Sequence, residues 1–100
     1  MNISRVHSLI RSQRYEISLH AQKERYEEGI SLENIERAIL NGKIIERYPR
    51  DPRGASCLLL GYTGRGPIHI VCAMLPNGWL RIITVYIPKI PKWITPKQRS

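Results

Sequence analysis

The chain has 100 residues, with 16 Lys or Arg against 8 Asp or Glu and a net charge of +8; that length supports one hydrophobic core and no second domain. No run approaches the ~20 apolar residues of a membrane span, and Asn2-Ile3-Ser4-Arg5-Val6-His7 lacks the apolar stretch of a signal peptide, so a cytoplasmic protein is expected. The charge is uneven. Residues 1–46 hold as many acids as cations, whereas residues 47–100 set Arg47, Arg50, Arg53, Arg65, Arg81, Lys89, Lys92, Lys97 and Arg99 against Asp51 alone. A cationic excess confined to one segment suggests a surface for a polyanion, with nucleic acid as the first partner to consider.

In chain order, apolar spacing is helical before residue 43 and alternating after it. Ile3, Val6 and Ile10 predict a first helix, Tyr15–Ile17 a short extended piece, and Ser18 an N-cap for a helix that runs to Glu28 and stops at Gly29. Ser31 caps another, in which Leu32, Ile35 and Ile39 form one stripe, Glu33 and Glu36 meet the positive end of the dipole, and Asn41-Gly42 ends the run. Four antiparallel strands follow, at residues 43–48, 56–62, 68–74 and 79–87. The tail, with three prolines and four cations in residues 88–100, is expected to lie extended over the surface. The expectation is one α+β domain spanning 1–100: helical over 1–42, a sheet over 43–87 and a basic tail over 88–100, with the N-terminal helices packed on a four-stranded antiparallel sheet.

Register converts this into faces. A two-residue Asn77-Gly78 hairpin pairs Met74 with Arg81, Val71 with Thr84 and His69 with Tyr86, and a loop at 63–66 puts Leu60 opposite His69 and Cys57 opposite Cys72. One face then reads Cys57, Leu59, Ile70, Cys72, Ile83, Val85 and Ile87 and should carry the helices. The other sets Leu58, Leu60, Val71 and Ile82 around His69, Thr84, Tyr86 and Tyr62. Cys57 and Cys72 lack CxxC spacing; two buried reduced thiols are the favoured reading and a disulfide the alternative. His7, His20 and His69 are scattered and no glycine-rich loop follows a strand, so no metal or nucleotide cofactor is expected.

The run Tyr15-Glu16-Ile17-Ser18-Leu19-His20-Ala21, then Gly29-Ile30-Ser31, Asn41-Gly42-Lys43-Ile44-Ile45-Glu46, Tyr48-Pro49, Ser56-Cys57-Leu58, Leu60-Gly61-Tyr62, Pro67-Ile68-His69 and Ile83-Thr84-Val85-Tyr86, with Pro88 and Trp93, resembles an uncharacterised bacterial and archaeal domain family. The resemblance covers about residues 14–93. Members are often encoded beside small zinc-finger antitoxins of the MqsA type, and the family looks like a distant relative of the RelE and BrnT ribonuclease toxins, which cleave messenger RNA without metal. It implies a RelE/BrnT-like fold and a toxin-like ribonuclease of a type II toxin–antitoxin module, acting on RNA or on the ribosome and held by a cognate antitoxin. Where the family commonly has an arginine four residues after the helix histidine, this chain has Glu24, with Arg25 displaced by one position; where it usually has an acidic pair around the proline after the last strand, this chain has Ile87-Pro88-Lys89.

Metal-independent RNA cleavage needs a base for the 2′-hydroxyl, an acid for the leaving 5′-oxygen and cations around the phosphorane. Histidine suits the proton transfers because it titrates near neutrality. His20 and His69 are therefore the catalytic candidates, with Tyr86 and Thr84 as hydrogen-bond donors and Arg81 as a phosphate clamp; Glu24, one turn after His20, can orient its imidazole. Arg25, Arg65, Lys89 and Lys92 are the RNA-binding candidates. Each also has a structural reading: His20 as a partner for helix backbone, His69 as a structural strand residue, Tyr86 and Trp93 as core or tail anchors, and Arg81 as a solubilising edge cation. Two other functions compete with cleavage: a noncatalytic RNA- or ribosome-binding module, and an interaction protein whose basic surface is covered by an acidic partner.

Overall fold

A computed structural model describes residues 1–52, 54–89 and 93–99. The helices form where capping directs them. In α1 (Ile3–Arg11) the Asn2 side chain accepts from the Arg5 N–H; in α2 (Leu19–Glu28) Ser18 accepts from Ala21 and Gly29 ends the helix in the left-handed region at φ 67°; in α3 (Leu32–Leu40) Ser31 accepts from Asn34. The buried stripe of α3 is Ile35, Ala38 and Ile39, while Leu32 remains exposed. After α1, Gln13 adopts φ 60° and the Arg14 N–H donates back to Leu9 O at 2.9 Å. That left-handed turn, made without glycine, sends the chain into β1 (Tyr15–Ile17).

The strands β2 (Lys43–Tyr48), β3 (Ser56–Thr63), β4 (Gly66–Met74) and β5 (Leu80–Tyr86) form antiparallel neighbours, and β1 adds to them. The sheet has five strands in the order β1-β5-β4-β3-β2, with β1 parallel to β5 and Glu16 facing Arg81 in register. This overturns the expected four-stranded antiparallel sheet, although the α+β class holds. The cause is β5's outer edge, whose backbone groups would otherwise be unpaired; a three-residue segment covers it. The tail is corrected too: instead of lying extended, it folds into a two-stranded hairpin, β6 (Trp93–Thr95) against β7 (Gln98–Arg99).

Register is right at one end of the β4–β5 pair and wrong at the other. His69 faces Tyr86 and Val71 faces Thr84, as expected, but Met74 faces Leu80 instead of Arg81. The hairpin loop has three residues: the Leu75 N–H donates to Trp79 O at 2.8 Å around Pro76-Asn77-Gly78, with Gly78 at φ 86°. A bulge at Ile83 absorbs the extra residue. Consequently Ile82 packs with Cys57, Leu59, Ile70, Cys72 and Val85 in the helix-side core, and Ile83 packs with Leu58, Val71, Ala73 and Trp93 on the opposite side, the reverse of their expected faces. Cys57 and Cys72 are opposed, buried and unbridged, with sulfurs 3.9 Å apart.

The α3 helix lies so close to β3 that a Cβ placed on Gly61 would stand 1.9 Å from Ala38 O, which is backbone and cannot yield. Gly61→Ala is therefore expected to lower unfolding free energy by about 1–3 kcal/mol or more. Gly64→Ala, which meets nothing within 4 Å, should shift it by less than about 0.5 kcal/mol. Urea denaturation of the two variants checks the difference.

Candidate functional site

β1 covers β5 only as far as Ile82; beyond that residue α2 takes over the edge. The Ser18 N–H donates to Ile82 O at 2.9 Å, the Ser18 hydroxyl donates to Ile83 O at 2.8 Å, and Glu24 Oε1 accepts from the Val85 N–H at 3.0 Å and from the Thr84 hydroxyl. The same carboxylate oxygen lies 3.3 Å from Nε2 of His20, whose side chain is 67% exposed. A carboxylate can only accept, so its position favours the tautomer with a proton on Nε2, which leaves Nδ1 as the acceptor nitrogen. His20 also lines a cavity of about 410 Å³ together with Ser18, Ala73, Leu75, Arg81 and Ile83. Arg81 donates to Glu16 at 2.7 Å and remains close to half exposed. One imidazole, one guanidinium and one serine thus border a single concavity at the sheet edge.

His69 occupies a different environment. It is fully buried, with Nδ1 3.1 Å from the Tyr86 hydroxyl and Nε2 2.6 Å from Pro96 O, and its ring stands edge-on to Trp93 at 4.3 Å. Pro96 O only accepts, so Nε2 carries a proton, and Nδ1 faces the Tyr86 hydroxyl. The tail hairpin supplies this cover. Arg99 clasps Glu46 through two contacts of 2.6 and 2.7 Å, reaches the Tyr48 hydroxyl at 3.3 Å and stacks over Trp93 at 4.6 Å. The hydrogen bonds from Arg99 hold the Glu46 carboxyl below the ordinary 4.5, and burial beside Glu46 pushes the Tyr48 hydroxyl up to about 12. Burial likewise raises the Tyr86 hydroxyl, with the Trp93 indole pulling the other way. The sequence reading missed this clasp; its signal was an aromatic residue, Trp93, followed six residues later by Arg99 in the tail.

The structure therefore separates the two histidines, placing His20 with Thr84 and Arg81 at the edge and His69 with Tyr86 under the tail. Three of the cations assigned to RNA converge instead on the C-terminal end of α2. Arg65 donates to the carbonyls of Glu28 and Gly29 at 2.9 Å each, Arg25 donates to Gln22 at 2.6 Å and to Ile30 O at 3.3 Å, and Lys89 lies 3.7 Å from Glu28. Cations at a helix C-terminus satisfy its last carbonyls and its dipole. Lys92, like Arg53, lies outside the described residues. Among the described residues, no three His, Cys, Asp or Glu side chains gather as a metal ion would require, and no helix is long and apolar enough to cross a membrane.

Residues 17–87 match the model of a domain of unknown function, DUF4258. The chain belongs to the DUF4258 family. Neither the curated proteins nor the solved structures contain a match. The DUF4258 match takes in His20, Glu24, His69, Arg81, Thr84 and Tyr86, but stops before the tail hairpin and begins after α1. The tail hairpin that covers His69 lies outside the matched residues, while its partners Glu46, Tyr48 and His69 lie inside them.

Because a carboxylate with a lowered pKa stabilises the state that holds it, the clasp is fully present above about pH 4.5 and is lost as pH falls through the lowered value. In a Trp79→Phe background, Trp93 emission should shift to the red only below that range. Glu46→Gln should show the shift at neutral pH and lose the acid response, as fluorescence titration can verify.

Proposed function

We propose that this protein is a toxin-like, metal-independent endoribonuclease in which His20 performs the proton transfer. The observation that supports the reading is the exposed His20 imidazole, oriented by Glu24, at a cavity that also holds Arg81. In this reading Nδ1 of His20 removes the proton from a ribose 2′-hydroxyl, whose oxygen attacks the adjacent phosphorus. Arg81, with one N–H engaged by Glu16, turns its others toward the charge building on the phosphorane oxygens. The imidazolium returns its proton to the departing 5′-oxygen. Glu24, Thr84 and Ser18 act as positioning groups that fix His20 to the sheet edge, and His69 with Tyr86 braces the tail. A cognate antitoxin, MqsA-type or acidic, neutralises the basic protein in the cell.

A noncatalytic RNA-binding role is favoured by a different observation: His69 is buried and held at both ring nitrogens, leaving a single one of the two candidate histidines open to a substrate. Controlled expression separates the readings. Wild type is expected to arrest growth and fragment RNA, and His20→Ala, an exposed change that leaves the core intact, to reduce cleavage by about 10²- to 10⁴-fold. Undiminished cleavage by that variant would refute the His20 mechanism. RNA retention with no cleavage by purified wild type would establish the binding role.

A further inference from the structure

A second concavity lies on the far side of the β4–β5 hairpin. Arg5, Ser8, Ser12, Arg14, Asn77 and Trp79 border its volume of about 230 Å³. The α1 helix provides Arg5 and Ser8 one turn apart, and the left-handed turn at Gln13 sets Arg14 beside the hairpin, where Arg14 O accepts from the Leu80 N–H at 3.1 Å. A guanidinium nitrogen of Arg5 would lie 3.7 Å from a Cβ placed on Gly78 at the hairpin tip. Asn77 Oδ1 accepts from the Trp79 N–H at 2.9 Å and so fixes the backbone carrying the indole, which is 40% exposed.

Two features suit this cavity to an anion. Among the described residues, neither Arg5 nor Arg14 has a carboxylate within 4.0 Å, whereas Arg81, Lys89 and Arg99 each have one. Its volume is below the roughly 300–1,000 Å³ typical of drug-sized ligands, which suits one small anion better than an enclosed organic molecule. Guanidiniums bind phosphate through paired N–H groups, and a half-exposed indole alongside offers a face on which a base can stack. The hairpin also joins the two cavities, contributing Ala73, Leu75 and Arg81 to the one at His20 and Asn77, Gly78 and Trp79 to this one.

We infer that this cavity is a subsite for one phosphodiester group of single-stranded RNA: Arg5 and Arg14 hold the phosphate, Trp79 stacks on a neighbouring base outside the cavity, and the strand crosses the hairpin toward His20. The inference rests on the RNA reading above and assigns the holding of the strand to residues of α1 and the hairpin. The cations that carry it belong to the half of the chain with no net charge.

The test uses the full chain and a dye-labelled 2′-O-methyl hexauridylate, which lacks the hydroxyl needed for cleavage, with binding read by fluorescence anisotropy across a salt series. Arg5→Gln/Arg14→Gln should weaken binding at least tenfold and flatten the salt dependence by about 0.7 in log–log slope, the value for one single-strand phosphate. Trp79→Ala should weaken it about 5- to 150-fold, and His20→Ala should weaken it far less than the double-arginine change while reducing cleavage of unmodified RNA by about 10²- to 10⁴-fold. All substitutions are at exposed positions, and unchanged thermal melts establish that the fold survives. Wild-type binding matched by the double-arginine variant would remove the subsite and leave the RNA reading standing. Failure of wild type to bind would overturn both. Binding weakened as expected, without cleavage by wild type, would keep the subsite and remove the ribonuclease step.

Discussion

The outer edge of β5 is the constraint on which the arrangement depends. A strand edge presents unpaired N–H and C=O groups, and leaving them unmatched near a core is costly. Here the edge is closed by two devices in series: β1 pairs with Leu80 to Ile82, and α2 then meets Ile83 to Val85 through Ser18 and Glu24. Ser18 has two roles, capping α2 and holding the bulged strand, so the start of the helix is tied to the sheet at one residue. His20, two residues later, inherits that placement. Glu24 is the group that joins helix, strand and imidazole at a single oxygen.

The bulge at Ile83 has consequences beyond local twist. It restores the far register after a three-residue hairpin, sends Ile82 into the helix-side core, and turns Ile83 toward the opposite side, where it contributes to the His20 cavity and contacts the cluster under the tail. One inserted residue thus helps to shape both candidate regions. The apolar patch of Leu58, Val71, Ala73 and Ile83 is not left bare, because Trp93 covers it and Arg99 secures the cover through Glu46, Tyr48 and the indole. A bidentate arginine–carboxylate pair with further hydrogen bonds has a defined geometry that a lone surface pair lacks.

Much of the fold was legible in the chain. Ser18, Gly29 and Ser31 mark helix ends because capping acts within three or four residues, and the alternation at 56–62 and 68–74 specifies which side chains share a face, so Leu60 against His69 and Cys57 against Cys72 follow from the β3–β4 loop alone. The site was less legible. Opposition of His69 and Tyr86 was readable from register, but whether that pair faces solvent or lies beneath Trp93 depends on a tail with no periodic signal.

By itself, then, the sequence determined the helices, the order of the antiparallel strands, the α+β class and the excess of cations in the second half, because caps, periodicity and charge are properties of neighbouring residues. Tertiary structure alone decided that Tyr15–Ile17 becomes a parallel edge strand, that Ile83 is a bulge, that Arg25, Arg65 and Lys89 serve the end of α2, and that His69 is sealed while His20 is open. Those outcomes turn on which backbone groups lack partners and which apolar surface remains uncovered once distant segments meet, and no local stretch of chain carries that information.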